Sequence, residues 1–127
     1  MQEKDLFEYA VIRVVPKVER EEFLNAGVVV YCAKQHFLKA LIHLDHSRLK
    51  CFCTEIDPND VQANLDALQR ICLGDITAGP IARLDIASRF RWLTATRSTV
   101  VQASKVHPGF CIDAGEKLQQ LFTQLVL

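Results

Sequence analysis

The residue types most able to do chemistry crowd into one stretch, RFRWLTATRSTVVQASKVHPG at positions 89–109, which holds three arginines, the only tryptophan, a Ser/Thr run and a histidine. Within it, Arg97, Ser98, Gln102, Ser104 and His107 are explained neither as core residues nor as helix caps. Earlier in the chain, Arg13 sits inside a β-rich apolar run, and Asn25 with Gly27 reads as a turn. A buried arginine is costly unless it is paired and hydrogen-bonded, so Arg13 needs partners; Glu19, Glu22 and Asn25 are close in sequence. Two uses of these groups stay open. Arg13 or Arg97 ties the first strand and its acidic loop to the fourth strand, or the same groups form a pocket for an anion or a surface for a partner.

Other chemistry is weakly supported. His43 and His46 followed by Cys51 and Cys53 are metal-ligand types, but zinc takes pairs spaced by about two to four residues. Here His43 lies in a strand, and a C-x-C pair in an extended chain points its thiols apart; no metal is expected. Ser104, His107 and Asp113, or a cysteine beside His36, contain the types of a nucleophilic triad, yet G-x-S-x-G, H-E-x-x-H and Walker A motifs are all missing. No catalytic residue and no cofactor is assigned, and the balance leans away from an enzyme. Nucleic-acid binding would use Arg89, Arg91, Arg97 and Trp92, since arginine pairs with phosphate and an indole stacks on a base. Arg89 and Arg91, two apart on a helix, diverge by about 200°, so they do not build one basic stripe and nucleic acid is not the expected partner.

The totals set the frame. The 127 residues fit one domain spanning 1–127, and half of them are hydrophobic, enough for a core that folds alone. Fifteen basic and fifteen acidic residues cancel, which removes any global attraction to polyanions. Locally the balance is uneven: residues 1–25 carry six acids against four bases, and residues 83–105 carry five bases against Asp85 alone. Internal pairing and a partner surface both use such asymmetry. The acidic start and the lack of a long apolar run predict neither targeting segment nor membrane span. Five cysteines without C-x-x-C read as reduced, packed thiols, and the expected location is the cytoplasm.

The elements that must position these groups follow from patterning. EYAVIRVV, stopped by Pro16, predicts a strand. The run VVVYCA predicts a buried central strand, and FLKALIHL at 37–44 the third strand of a meander. Asp57-Pro58 opens a helix whose inner stripe is Val61, Leu65, Leu68 and Cys72. A second helix runs from Gly79-Pro80 to about Trp92, with Ala82, Ile86, Phe90 and Leu93 inward and its arginines outward. Residues 98–104 fit a fourth strand and His107-Pro108-Gly109 a turn. Asp113 and Glu116 form a capping-box pattern for a last helix lined by Leu118, Leu121, Phe122 and Leu125. The order β-β-β-α-α-β-α predicts an α+β fold, with an antiparallel or mixed sheet of about four strands and helices on one face.

Three segments, Y9-A-V-I-R13-x-V-P16, E22-F-L-N25-A-G27-V-V and R97-S-T-V-V-Q102-A-S104-K-V-H107-P-G109, together resemble the bacterial family called domain of unknown function 3037. The similarity covers nearly the whole chain, and the last segment is its most specific part. The resemblance implies a small bacterial protein without an assigned activity, and a gene that often neighbours one for a HipA-like kinase-fold protein. The expected function is therefore a non-enzymatic interaction or accessory module, with a kinase-like protein as partner and a surface containing Arg13, Asn25, Arg97, Ser98, Gln102, Ser104 and His107. Trp92 is its aromatic anchor if the helix end leaves it exposed. The alternative is a small enzyme or binding protein that takes a phosphate- or carboxylate-bearing small molecule at the corner of Arg13, Arg97, Gln102 and His107. A concave pocket shared by Arg13 and Arg97 favours the ligand, an apolar patch the partner.

Overall fold

A computed structural model describes residues 3–95, 97 and 99–127. Its centre is β1 (Asp5–Val14), flanked on one side by β2 (Leu24–Cys32) and then β3 (Phe37–Ile42), all antiparallel. The other flank of β1 is shared by two short strands. β4 (Val101–Ala103) pairs with Ile12–Val14, and β5 (His107–Cys111) pairs with Asp5–Tyr9. The helices are α1 (His46–Phe52), α2 (Pro58–Cys72), α3 (Ile86–Leu93) and α4 (Ala114–Leu125). The fold is α+β, a five-stranded antiparallel sheet with four helices packed against it.

Alternation along β1 divides the core in two. Ala10, Ile12 and Val14 face α2 and α3, where they join Val29, Val61, Leu65, Phe90 and Leu93; Tyr31 stacks on Phe90 with ring centroids 5.1 Å apart. Phe7 belongs instead to a second cluster with Val28, Val30 and Cys32, closed by Ala114, Leu118 and Val126. Thus α4 covers the face opposite to α2 and α3, whereas the sequence order suggests helices on one face. Every helix starts the same way. Asp45, Asp57, Asp85 and Asp113 each accept a backbone N–H in the first turn of α1, α2, α3 and α4, satisfying donors that the helix leaves over.

Four local expectations are corrected. The Asn25-Ala26-Gly27 turn is a β-bulge inside β2: Gly27 pairs with Ile12 and Asn25 with Arg13, which leaves Ala26 over. The extra residue reverses the alternation, so Leu24 and Ala26 stay in the first core while Asn25 turns to the α4 face. Glycine is required at position 27 because a Cβ would lie 2.6 Å from Ile42 Cδ1 and 2.7 Å from the Leu41 carbonyl oxygen. His107-Pro108-Gly109 is not a turn but the first part of β5. An edge strand tolerates a proline that cannot donate, and Gly109 is packed under Phe7, whose ring would stand 2.7 Å from an added Cβ.

The segment with His46 and Cys51 is helical, held by the Asp45 cap and buried Leu49. Cys51 is exposed and Cys53 buried. The helix expected over 80–92 is interrupted, because Leu84 is extended between a 3-10 turn at Pro80–Arg83 and α3. Asp85 restarts it, accepting from the Ser88 N–H at 3.4 Å. No helix among the described residues is long and apolar enough to cross a membrane.

Candidate functional site

The bulge, the edge strand and the α3 terminus decide where the polar residues go. Asn25, Arg13 and Gln102 are cross-strand neighbours on β2, β1 and β4, so their side chains share the face covered by α4. Asn25 Nδ2 donates to the Leu125 carbonyl at 2.9 Å, tying β2 to the end of α4. The Arg13 guanidinium lies over the Phe23 ring, 4.0 Å from its centroid. Its buried Nε has no hydrogen-bond partner among the described residues. Gln102 Nε2 donates to the Thr99 carbonyl.

Ser104 has a different task. Between Tyr9 and Ile12, β1 passes from one short partner strand to the other, and the Val11 backbone would lose its ladder there. The Ser104 hydroxyl accepts from the Val11 N–H at 2.8 Å, and the Ser104 N–H donates to the Val11 carbonyl at 2.8 Å. That hydroxyl also donates to the Lys105 carbonyl. Buried backbone groups need such partners, and Ser104, 6% exposed, supplies them. His107 is exposed on β5, its ring 5.2 Å from that of Tyr9, and Asp113 caps α4.

Arg97 is separated from Arg13. It lies at the end of α3, where its guanidinium donates to the Trp92 and Leu93 carbonyls and packs 4.4 Å from the Trp92 ring centroid. This closes the helix C-terminus, where a cation is favoured. Arg97 and Trp92 then form one wall of a groove of about 650 Å³, completed by Leu68 and Ile71 of α2 and by Val100 and Val101. Val101 pairs with Val14, so this groove lies on the α2 side of the sheet while Arg13 faces α4. One small anion cannot bridge the two arginines. Ser98 lies outside the described residues.

The remaining arginines of the segment point elsewhere. Arg91 forms a two-pronged ion pair with Glu8, with one contact at 2.8 Å. Arg89 is buried, not outward, and its Nη1 donates to the Ile71 carbonyl at 3.5 Å near the end of α2. Gly74, with φ of 73°, makes room for it: a Cβ there would sit 2.3 Å from Arg89 Nη1. The neighbouring Cys72 thiol is pushed up to about 12 by burial, against the opposing pull of Arg89, so it packs as a small hydrophobe. The sequence signal for Arg89 was Gly74 at the foot of α2, which reads only as a helix stop until the arginine is seen above it.

The sequence profile of a family described as Protein of unknown function (DUF3037) matches residues 9–126. The chain belongs to the DUF3037 family. No curated protein and no solved structure matches it. The DUF3037 match spans both the Asn25–Arg13–Gln102 row and the Trp92–Arg97 groove. It begins at Tyr9, within β1, so that Phe7 and the Glu8 partner of Arg91 precede it. In this DUF3037 chain the R-S-T-V-V-Q-A-S-K-V-H segment contains a helix closure at Arg97, a ladder substitute at Ser104 and an exposed imidazole at His107.

Proposed function

We propose that this DUF3037 chain is a non-enzymatic interaction module acting in the cytoplasm, an accessory to a protein partner that docks on the Trp92–Arg97 groove. The observation that carries this reading is the exposure of Trp92, 40% accessible in the last turn of a helix whose Phe90 and Leu93 are buried and whose Ile86 is half-buried. Tryptophan and arginine are the residue types most enriched where binding energy concentrates. Apart from Asn64 and Thr99, the groove beside them is lined by the aliphatic side chains of Ala67, Leu68, Ile71, Val100 and Val101 rather than by a converging set of acids and bases. Arg97 is held over the indole and by two carbonyls of α3, so its charge is presented without the ordering cost of a loose side chain.

The charge available for steering is smaller than the sequence suggests, because Arg89 is buried and Arg91 is paired with Glu8. Of the five bases of residues 83–105, Arg83, Arg97 and Lys105 remain, and Arg97 is the one that lines the groove; the on-rate should fall with added salt. The HipA-like kinase-fold neighbour implied by the family resemblance is the first partner to test. Coexpression followed by size-exclusion chromatography should give one co-eluting species at low salt. Trp92→Ala should weaken it by about 2 kcal/mol or more, which is roughly 30-fold in Kd. Separate elution at low salt, together with unchanged cellular interactions of Trp92→Ala and Arg97→Ala, would overturn the proposal.

A further inference from the structure

A second concavity lies away from the groove, between the β1–β2 connection and α1. It has a volume of about 560 Å³ and is walled by Pro16, Lys17, Arg20 and Glu22 on one side and by Ser47, Arg48, Cys51 and Phe52 on the other. That volume falls within the range of about 300–1,000 Å³ typical of small-molecule sites. Three cations and one carboxylate line it. Arg20 is already committed, its Nε 2.5 Å from Glu22. Among the described residues, Lys17 and Arg48 have no ion-pair partner. Lys17 and Arg48 both line the cleft and are both exposed, so an anion entering it can take charge-assisted hydrogen bonds from the two. The remaining wall is apolar: the Phe52 ring is exposed and stands in the cleft beside the charged groups, and Pro16 adds a flat aliphatic surface.

We propose that this cleft binds a small phosphate monoester with a ring-sized apolar body, the phosphate held between Lys17 and Arg48 and the ring laid on Phe52 and Pro16. Two unpaired cations match the charge of a phosphate dianion better than that of a carboxylate. Glu22 guards the Arg20 side and directs the anion toward Arg48. The site is independent of the Trp92–Arg97 groove, and binding in one does not require the other.

Phenyl phosphate, benzoate and benzyl alcohol are the probes, titrated into the 15N-labelled full chain. Phenyl phosphate should shift the amides of residues 17–22 and 47–52 and leave those of α4 unmoved. Benzoate should act on the same amides more weakly, and benzyl alcohol should not bind. Arg48→Ala should weaken phenyl phosphate by about tenfold, as expected for loss of one charge-assisted hydrogen bond, with Arg48→Lys recovering part of it. Affinity should also drop below about pH 6, where the monoester takes up its second proton. The amide spectrum of each variant reports its fold directly, and Lys17→Ala, which leaves α1 untouched, serves as the second variant. Absence of localised shifts with phenyl phosphate, equal binding of benzyl alcohol, or an affinity unchanged in both Arg48→Ala and Lys17→Ala would overturn the proposal.

Discussion

Ser104 and Arg97 stand seven positions apart in the same motif, and both donate to backbone carbonyls, yet they belong to opposite kinds of region. Ser104 is buried where two strands hand over to one another, and its hydroxyl replaces a missing rung of the sheet. Arg97 closes a helix with its nitrogens and shows solvent one side of a guanidinium–indole pair. Asn25 belongs with Ser104, since its amide fastens the end of α4, and Trp92 belongs with Arg97. Residue type does not separate the two classes. What separates them is whether the side chain joins elements distant in the chain, as Ser104 does with Val11 and Asn25 with Leu125, or closes its own helix, as Arg97 does with Trp92 and Leu93.

Substitutions can break that comparison, beginning with the position on which Asn25 depends. Gly27→Ala forces a methyl group against the Leu41 carbonyl and Ile42, and overpacking of this kind typically costs about 1–3 kcal/mol. The value belongs at the upper end because the bulge that orients Asn25 is strained at the same time; a urea midpoint equal to wild type would show that the bulge is adaptable. Ser104→Ala follows, leaving the Val11 N–H buried and unpartnered at about 1–3 kcal/mol. Amide exchange at Val11 should accelerate in this variant, and Arg97→Ala, worth about 0.3–1 kcal/mol for a helix-end cation, should leave it unchanged.

The smallest effect is acid titration. The hydrogen bond to Ser88 holds the Asp85 carboxyl below its ordinary value of 3.8, and Thr77 does the same for Asp75. A carboxyl depressed in the folded state contributes stability that is complete above the unfolded value and is lost as pH falls through the folded one. Below about pH 4, amides at the start of α3 should therefore lose protection before those around Ser104, which has no titrating group. Equal loss at both places would remove the contrast.

Much of the frame was legible because it is local. Asp57 with Pro58 and Asp113 mark helix starts by contacts within two residues, and the alternation in FLKALI needs only a strand with one face in the core. The failures share a cause: their meaning is set by a distant neighbour. Pro108 and Gly109 carry turn chemistry, and only the edge position of β5 and the Phe7 ring make them strand residues. Gly27 is fixed by Ile42, and Arg89 is buried through the end of α2. Helix α1 escaped notice because seven residues with one fully buried side chain, Leu49, hardly produce a period. Arg13, Asn25 and Gln102 are cross-strand neighbours, while Ser104 serves Val11 and His107 stands beside Tyr9; Arg97 lies apart from all of them, which stayed hidden because the sequence does not say on which side of a sheet a helix will end.

The placement of α4 has a bearing on how the chain is made. Strands β1 to β3 and the three helices of the first core leave the ribosome before residues 114–125 do, so Phe7, Val28 and Val30 wait for their cover until α4 has emerged. β5, which must return to the start of β1, is almost as late. For that interval the nascent chain presents a half-built sheet with one apolar face and one open edge, the combination that draws partially folded chains into aggregates and chaperones. Completion of a single twelve-residue helix ends that exposure, so a premature stop just before α4 is enough to leave that face of the sheet uncovered.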